Sequence, residues 1–207
     1  MNAKRNLYIE ISEADDLGHV GLVCHLSERY LRRRPDHVPT LILYAQALRR
    51  LSRYSHAEKI LDHAELVAPK KYLHLVLYQQ GHLLHRQGKW NAAEEVYLRV
   101  AGEVPDDATG WIYAGCSAFR SGEVERAKSL ARKATTCAEG CLDEAWFNLG
   151  GYLLSTGDYK EARECYQMSL SIDPNYSIAK KRLEDVELVL AELAASSASS
   201  LTTHRDQ

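Results

Sequence analysis

The stretch DEAWFNLGGYLLSTGDYKEARECYQMSLSIDPNY, residues 143–176, decides the fold. Its first half sets Trp146, Leu149 and Leu153 at i, i+3 and i+7, one face of a helix. Gly150 on that face admits a close neighbour, and Gly157 supplies a left-handed turn. Tyr159, Ala162, Tyr166, Ser169 and Leu170 form a second helical stripe, with the small Ala162 expected opposite Gly150. Asp173-Pro174 ends that helix, because proline has no N–H to donate and pushes the preceding residue out of the helical region. The stretch therefore reads as a helix–turn–helix hairpin with an apolar edge that a neighbour must cover.

Working outward, the same punctuation recurs. Gly18, Ser52, Gly88, Gly122 and Gly157 follow one another at steps of 34, 36, 34 and 35 residues. Gly81, Gly115 and Gly150 lie seven residues ahead of the last three, and Val23, Ala57, Ala93, Ala127 and Ala162 keep the same beat. Pro35, Pro69, Pro105 and Pro174 mark the ends of units, with a gap near Glu139. A period of this length across most of the chain indicates an array of supersecondary units.

Trp146-x2-Leu149-Gly150-x2-Leu153, then Ala162-x3-Tyr166 and Pro174, resembles the tetratricopeptide repeat pattern. Residues 108–141 match through Trp111, Gly115, Gly122, Ala127 and Ala131. Residues 74–107 match through Leu77, Gly81, Leu84, Ala93, Tyr97 and Pro105, and residues 38–71 through Leu41, Ala45, Leu48, Ala57, Leu61 and Pro69. Residues 4–37 are a degenerate copy keeping Leu7, Gly18, Val23, Tyr30 and Pro35. The resemblance implies an all-α fold, a right-handed α-solenoid of stacked hairpins, forming a single array over 4–195. Residues 72–73 read as an insertion between repeats. In the fourth repeat Cys137 to Leu142 replaces the terminal proline, with Gly140 expected to turn the chain. Residues 177–195 read as an amphipathic capping helix, and the Ser-rich 196–207 as a disordered tail. Eleven helices follow, with Trp111 and Trp146 expected to be largely buried between hairpins.

The composition narrows the function. Lys+Arg 26 against Asp+Glu 28 gives a net charge of −2, which argues against nucleic acid as the partner. No apolar run approaches the roughly 18–20 residues of a membrane span, and Met1 to Glu10 lacks the basic, long-apolar, small-residue order of a signal peptide, so a cytoplasmic location is expected. Gly-rich phosphate loops, GxSxG and HExxH are absent, so no catalytic residue, cofactor or metal site is assigned. Cys137-x3-Cys141 and the pair His82 and His85 with His74 admit a metal or redox reading, set against the plainer one of packed or groove-lining side chains. Arg32-Arg33-Arg34 ends a helix, where cations complement the dipole.

In the family that the chain resembles, the first helix of each hairpin lines the concave surface. By position this implies a peptide-binding groove of Gln46, Arg49 and Arg50, of Tyr78, His82, His85 and Arg86, of Ile112, Cys116, Phe119 and Arg120, and of Phe147 and Leu154. Arg50, Arg86 and Arg120 share one slot in three repeats, while Arg99 and Lys128 are expected on the outer face. The resemblance also allows a test. Chaperone-carboxylate clamps of the family use Lys and Asn, then Asn, then Lys and Arg, and the matching places here, such as Tyr8, Ser12, Leu43, Leu75 and Gln79, carry none of them. The expectation is a non-enzymatic scaffold whose partner is a protein or peptide with acidic residues and apolar anchors. A type III secretion-like chaperone and a metal or redox protein using the Cys/His pairs are the alternatives.

Overall fold

The computed structural model of the protein describes the backbone of residues 6–203 and the side chains through residue 196. Eleven helices account for most of the described residues: α1 (Leu7–Asp16), α2 (Val20–Leu31), α3 (Val38–Arg50), α4 (Tyr54–Val67), α5 (Lys70–Arg86), α6 (Trp90–Glu103), α7 (Ala108–Arg120), α8 (Val124–Thr135), α9 (Leu142–Ser155), α10 (Tyr159–Ile172) and α11 (Ser177–Thr203). Among the described residues there is no strand, only an isolated bridge between Asp107 and Glu139. The chain forms two compact bodies, Met1–Val104 and Pro105–Gln207. In the first, hairpins α1–α2, α3–α4 and α5–α6 stack in chain order; in the second, α7–α8 and α9–α10 stack and α11 packs on α10.

The turns explain the periodic glycines. Gly18, Gly88, Gly122 and Gly157 have φ of 72°, 73°, 92° and 83°, and Ser52 takes the same conformation at 57°. In each, the next N–H bonds a carbonyl five residues back: His19 to Ala14, Arg53 to Leu48, Lys89 to Leu84, Glu123 to Ala118 and Asp158 to Leu153, all at 2.8–3.0 Å. This is the Schellman motif, which satisfies the last carbonyls of the first helix and reverses the chain in two residues.

The second glycine series serves packing between the two helices of a hairpin, with a different partner from the one expected. A Cβ at Gly150 would stand 2.9 Å from the Tyr166 ring, and one at Gly81 2.5 Å from the Tyr97 ring. Tyrosine, not Ala162, fills the space that the glycine leaves, because the side chain four residues further along the second helix is long enough to cross. Tyr97 and Tyr166 are 0% and 1% exposed and anchor their hairpins. The same pair of positions holds Ala45 with Leu61 and Gly115 with Ala131. At Gly115 a Cβ would meet nothing closer than 3.5 Å.

Several expectations are corrected. Trp111 and Trp146 are half-buried, not core; Lys133 Nζ lies 4.8 Å from the Trp111 ring, and Trp146 borders an open cleft with Arg132 and Met168. The insertion at 72–73 is taken up as helix: α5 begins at Lys70 directly after Pro69 and runs for 17 residues. Lys128 is no outer-face bystander, since its side chain is 8% exposed and its Nζ reaches Glu125 at 2.6 Å and Asp158 at 3.3 Å. Helix α11 continues past residue 195 to Thr203, and residues 204–207 of the expected tail lie outside the described residues. Gly140 turns the chain at φ 92°. The loop it closes is held by Ala108 N–H to Glu139 C=O and by Ala138 and Glu139 N–H to Asp106 C=O.

Candidate functional site

In the N-terminal body the predicted inner residues lie on α3 and α5. Tyr78 and His82, one turn apart, pack ring to edge at 4.2 Å, and the Tyr97 hydroxyl from α6 lies 3.1 Å from His82 Nδ1. Burial, then the charges of Arg49 and His85, push the His82 pKa down to about 4, so the imidazole is neutral. Arg49 is half-buried and its Nε has no hydrogen-bond partner; desolvation lowers its pKa despite the neighbouring Tyr97. Gln46 is half-buried beside it on α3. Arg50 is exposed and ion-paired with Asp15 of α1 at 3.4 Å, which holds it to the preceding hairpin. His85 sits against Trp90 at 4.6 Å. Ser52 and then Arg86 draw the Tyr54 hydroxyl below its usual pKa.

The C-terminal body carries a trough of about 630 Å³ whose walls come from α7, α9 and α11. Along α9, Phe147, Gly151 and Leu154 fall at i, i+4 and i+7 and point into it, with Asn148 and Ser155 alongside. Phe119 of α7 is 37% exposed and stacks on Tyr152 at 4.8 Å with 27° between planes. Phe147 lies 5.0 Å from Tyr176 and 5.7 Å from Tyr166. Tyr152 donates its hydroxyl to Cys116 Sγ at 3.4 Å, and Asn148 its amide at 3.8 Å, which fixes both on the floor. Burial raises the Cys116 and Tyr152 pKa values, so the thiol and phenol stay protonated. Burial likewise pushes Tyr166 up to about 12. The charged residues lining the trough are Arg120 and Arg182.

Of the predicted groove residues, Cys116, Phe119, Arg120, Phe147 and Leu154 thus come together in one trough. Ile112 does not: it is 3% exposed and packs with Ala108, Ala134 and Ala145, supporting the wall from behind. Asn148, Tyr152 and Arg182 were not foreseen. Asn148 and Tyr152 flank Gly151 on α9, where helix periodicity alone could have placed them. Arg182 belongs to the capping helix, whose reading as a lid gave its polar residues no role. Among the described residues no three His, Cys, Asp or Glu side chains gather as a metal-binding group, and all five cysteines are free thiols.

Repeated hairpins closed by one turn motif define the class of helical-repeat proteins, the α-solenoids. Residues 143–176 and 78–140 each match the tetratricopeptide repeat family. The chain carries tetratricopeptide repeats over these residues. No curated protein sequence matches it. Solved structures that resemble it include MamA (41-end) from Desulfovibrio magneticus RS-1, 17% identical, with TM-score 0.68, covering 82% of this chain and 94% of that one. A second is the first tetratricopeptide domain of Spaghetti (RPAP3) bound to an HSP90 peptide, 23% identical, TM-score 0.53, covering 57% and 93%. A third is YrrB, described as having an unusual peptide-binding site, 13% identical, TM-score 0.60, covering 83% and 87%. At these identities the likeness is one of fold. No helix among the described residues is long and apolar enough to cross a membrane.

Proposed function

We propose that the protein is a non-enzymatic scaffold that binds an extended segment of a partner protein on the inner faces of its hairpins. The observation that carries this is the α7–α9–α11 trough. Phe119, Phe147 and Leu154 offer solvent an apolar surface bordered by polar and cationic groups, the usual anatomy of a site that takes a peptide side chain. Stacked rings lose little rotamer freedom on binding, so contact with them is efficient. The N-terminal body offers a second inner surface through Gln46, Arg49, Tyr78, His82 and Arg86, and the five repeats are read as one array presenting both. The HSP90 peptide bound to the RPAP3 domain and the peptide-binding site named for YrrB support a peptide as the kind of ligand. The particular HSP90 peptide is not proposed as a ligand, because the clamp positions here carry other residue types. Nothing specific favours a secretion chaperone over other scaffolds.

A photo-crosslinking residue placed at Leu154 or Phe119 should capture a partner in cells of the source organism. The same probe at the outward Leu66 of α4, 84% exposed, should not. Equal capture at Leu66, or capture at Leu154 that survives Phe119→Ala combined with Phe147→Ala, would overturn the reading.

A further inference from the structure

We propose that α11 is a wall of the binding site as well as a cap, and that the trough selects a segment in which internal Asp or Glu side chains flank an apolar residue. This rests on the trough being the binding surface. The floor is the apolar stripe of α9, and a guanidinium stands on the helix to either side, Arg120 on α7 and Arg182 on α11. No aspartate or glutamate lines the trough, although the chain as a whole is slightly acidic. Two carboxyls lie close by without lining it: Asp185, which touches Arg182 at 3.5 Å, and Glu144, within electrostatic reach of Cys116 and Tyr152, its pKa raised by burial, then by Asp143.

The two arginines are available. Arg120 makes no hydrogen bond or ion pair among the described residues; Arg182 has one long i,i+3 contact, to Asp185 at 3.5 Å, with both side chains about half exposed. Such a pair contributes little, so exchanging it for a ligand carboxylate costs little. Arginine presents a planar fork matched to carboxylates, and cations on two walls suit acidic side chains spread along a segment better than one terminal carboxylate. The chain's own residues 204–207 are a poor occupant. They follow Thr203, some 30 Å of helix beyond Arg182 at about 1.5 Å per residue.

The test uses the full chain and a displayed library of random peptides of about a dozen residues, long enough to cross one groove. Selected peptides should carry Asp or Glu within two or three positions of an aromatic or aliphatic residue. Their affinity should fall about tenfold or more on Arg182→Gln, the loss expected for one charge-assisted hydrogen bond, and fall again with added salt. Arg182 is exposed, so circular dichroism and melting should be unchanged. As a second variant, Arg120→Glu with Arg182→Glu should turn the selection towards Lys- and Arg-bearing peptides. Peptides that need Phe119 and Phe147 but ignore Arg182 and the charge reversal would overturn this inference and leave the trough as a binding site. Peptides selected for a free terminal carboxylate would also overturn it. Peptides indifferent to Phe119 and Phe147, or none selected at all, would count against both readings.

Discussion

Gly81→Ala should destabilise the protein even though alanine is the better helix former. A Cβ built at Gly81 falls 2.5, 2.7 and 2.9 Å from Cε1, Cζ and Cδ1 of Tyr97, where ordinary carbon contacts lie near 3.5–4.0 Å. The ring must retreat by about an ångström, yet it is 0% exposed and its hydroxyl is bonded to His82. Overpacking of that kind costs about 1–3 kcal/mol, against roughly 1 kcal/mol gained in helix propensity; the 2.5 Å approach puts the cost at the upper end, so a net loss of up to about 2 kcal/mol is expected. Gly150→Ala meets Tyr166 at 2.9 Å and should lose less, roughly 0–1 kcal/mol. Gly115→Ala meets only ordinary contacts and should be neutral or gain up to about 1 kcal/mol. Urea unfolding followed by far-UV circular dichroism reads the order. Combining Gly150→Ala with Tyr166→Leu copies the Ala45–Leu61 pair of the second hairpin and should show favourable coupling of at least about 0.5 kcal/mol. If Gly81→Ala is as stable as the parent while Gly115→Ala is weaker, the glycine–tyrosine account is wrong.

Ser52→Gly should stabilise by about 0.5–1 kcal/mol in the same assay, because Ser52 alone of the five turn residues carries a Cβ at positive φ. Tyr166→Ala should cost about 3–5 kcal/mol and Trp146→Ala clearly less, since Tyr166 is enclosed and Trp146 borders a cleft. Acid should weaken the fold through His82. Its folded pKa is about 4 and its unfolded value near 6.5, so the unfolded chain binds the proton first. The contribution is whole above about pH 6.5 and lost as pH falls towards 4, on the order of 1–2 kcal/mol after discounting for its partial exposure. His82→Gln should flatten stability across that window, and an unchanged pH profile would refute the assignment.

What was legible in the sequence follows from what repeats. Turn residues and helix stripes recur at fixed spacing, so the hairpins could be placed from Gly18 to Gly157 and the family named from residues 143–176. Pairings across a hairpin are set by side-chain reach, and reach is not periodic. Ala162 was matched to Gly150 because both are small, whereas the long Tyr166 fills the gap. The apolar stripe and the repeat pattern put Trp111 and Trp146 on the packed face, but Trp111 packs only at the margin of its core cluster and Trp146 borders a cleft, which leaves each half open. The trough was partly legible, because Phe119, Arg120, Phe147 and Leu154 follow from the inner-helix positions. Arg182 was not, since its place depends on how α11 crosses the last hairpin, and no repeat precedes it to supply a template. Lys128 shows the same limit: a lysine written as exposed is drawn under a turn by Glu125 and Asp158.

The central claim is that a partner segment lies along α9 between α7 and α11. Amide chemical-shift mapping of the isotope-labelled full chain with a library-selected peptide tests it most directly. The account predicts the largest shifts at Cys116, Phe119, Arg120, Phe147, Asn148, Gly151, Leu154 and Arg182, with α8 and the outer face of α10 unmoved. Shifts centred instead on Arg132, Trp146, Glu161 and Met168, the cleft on the other side of α9, would contradict it.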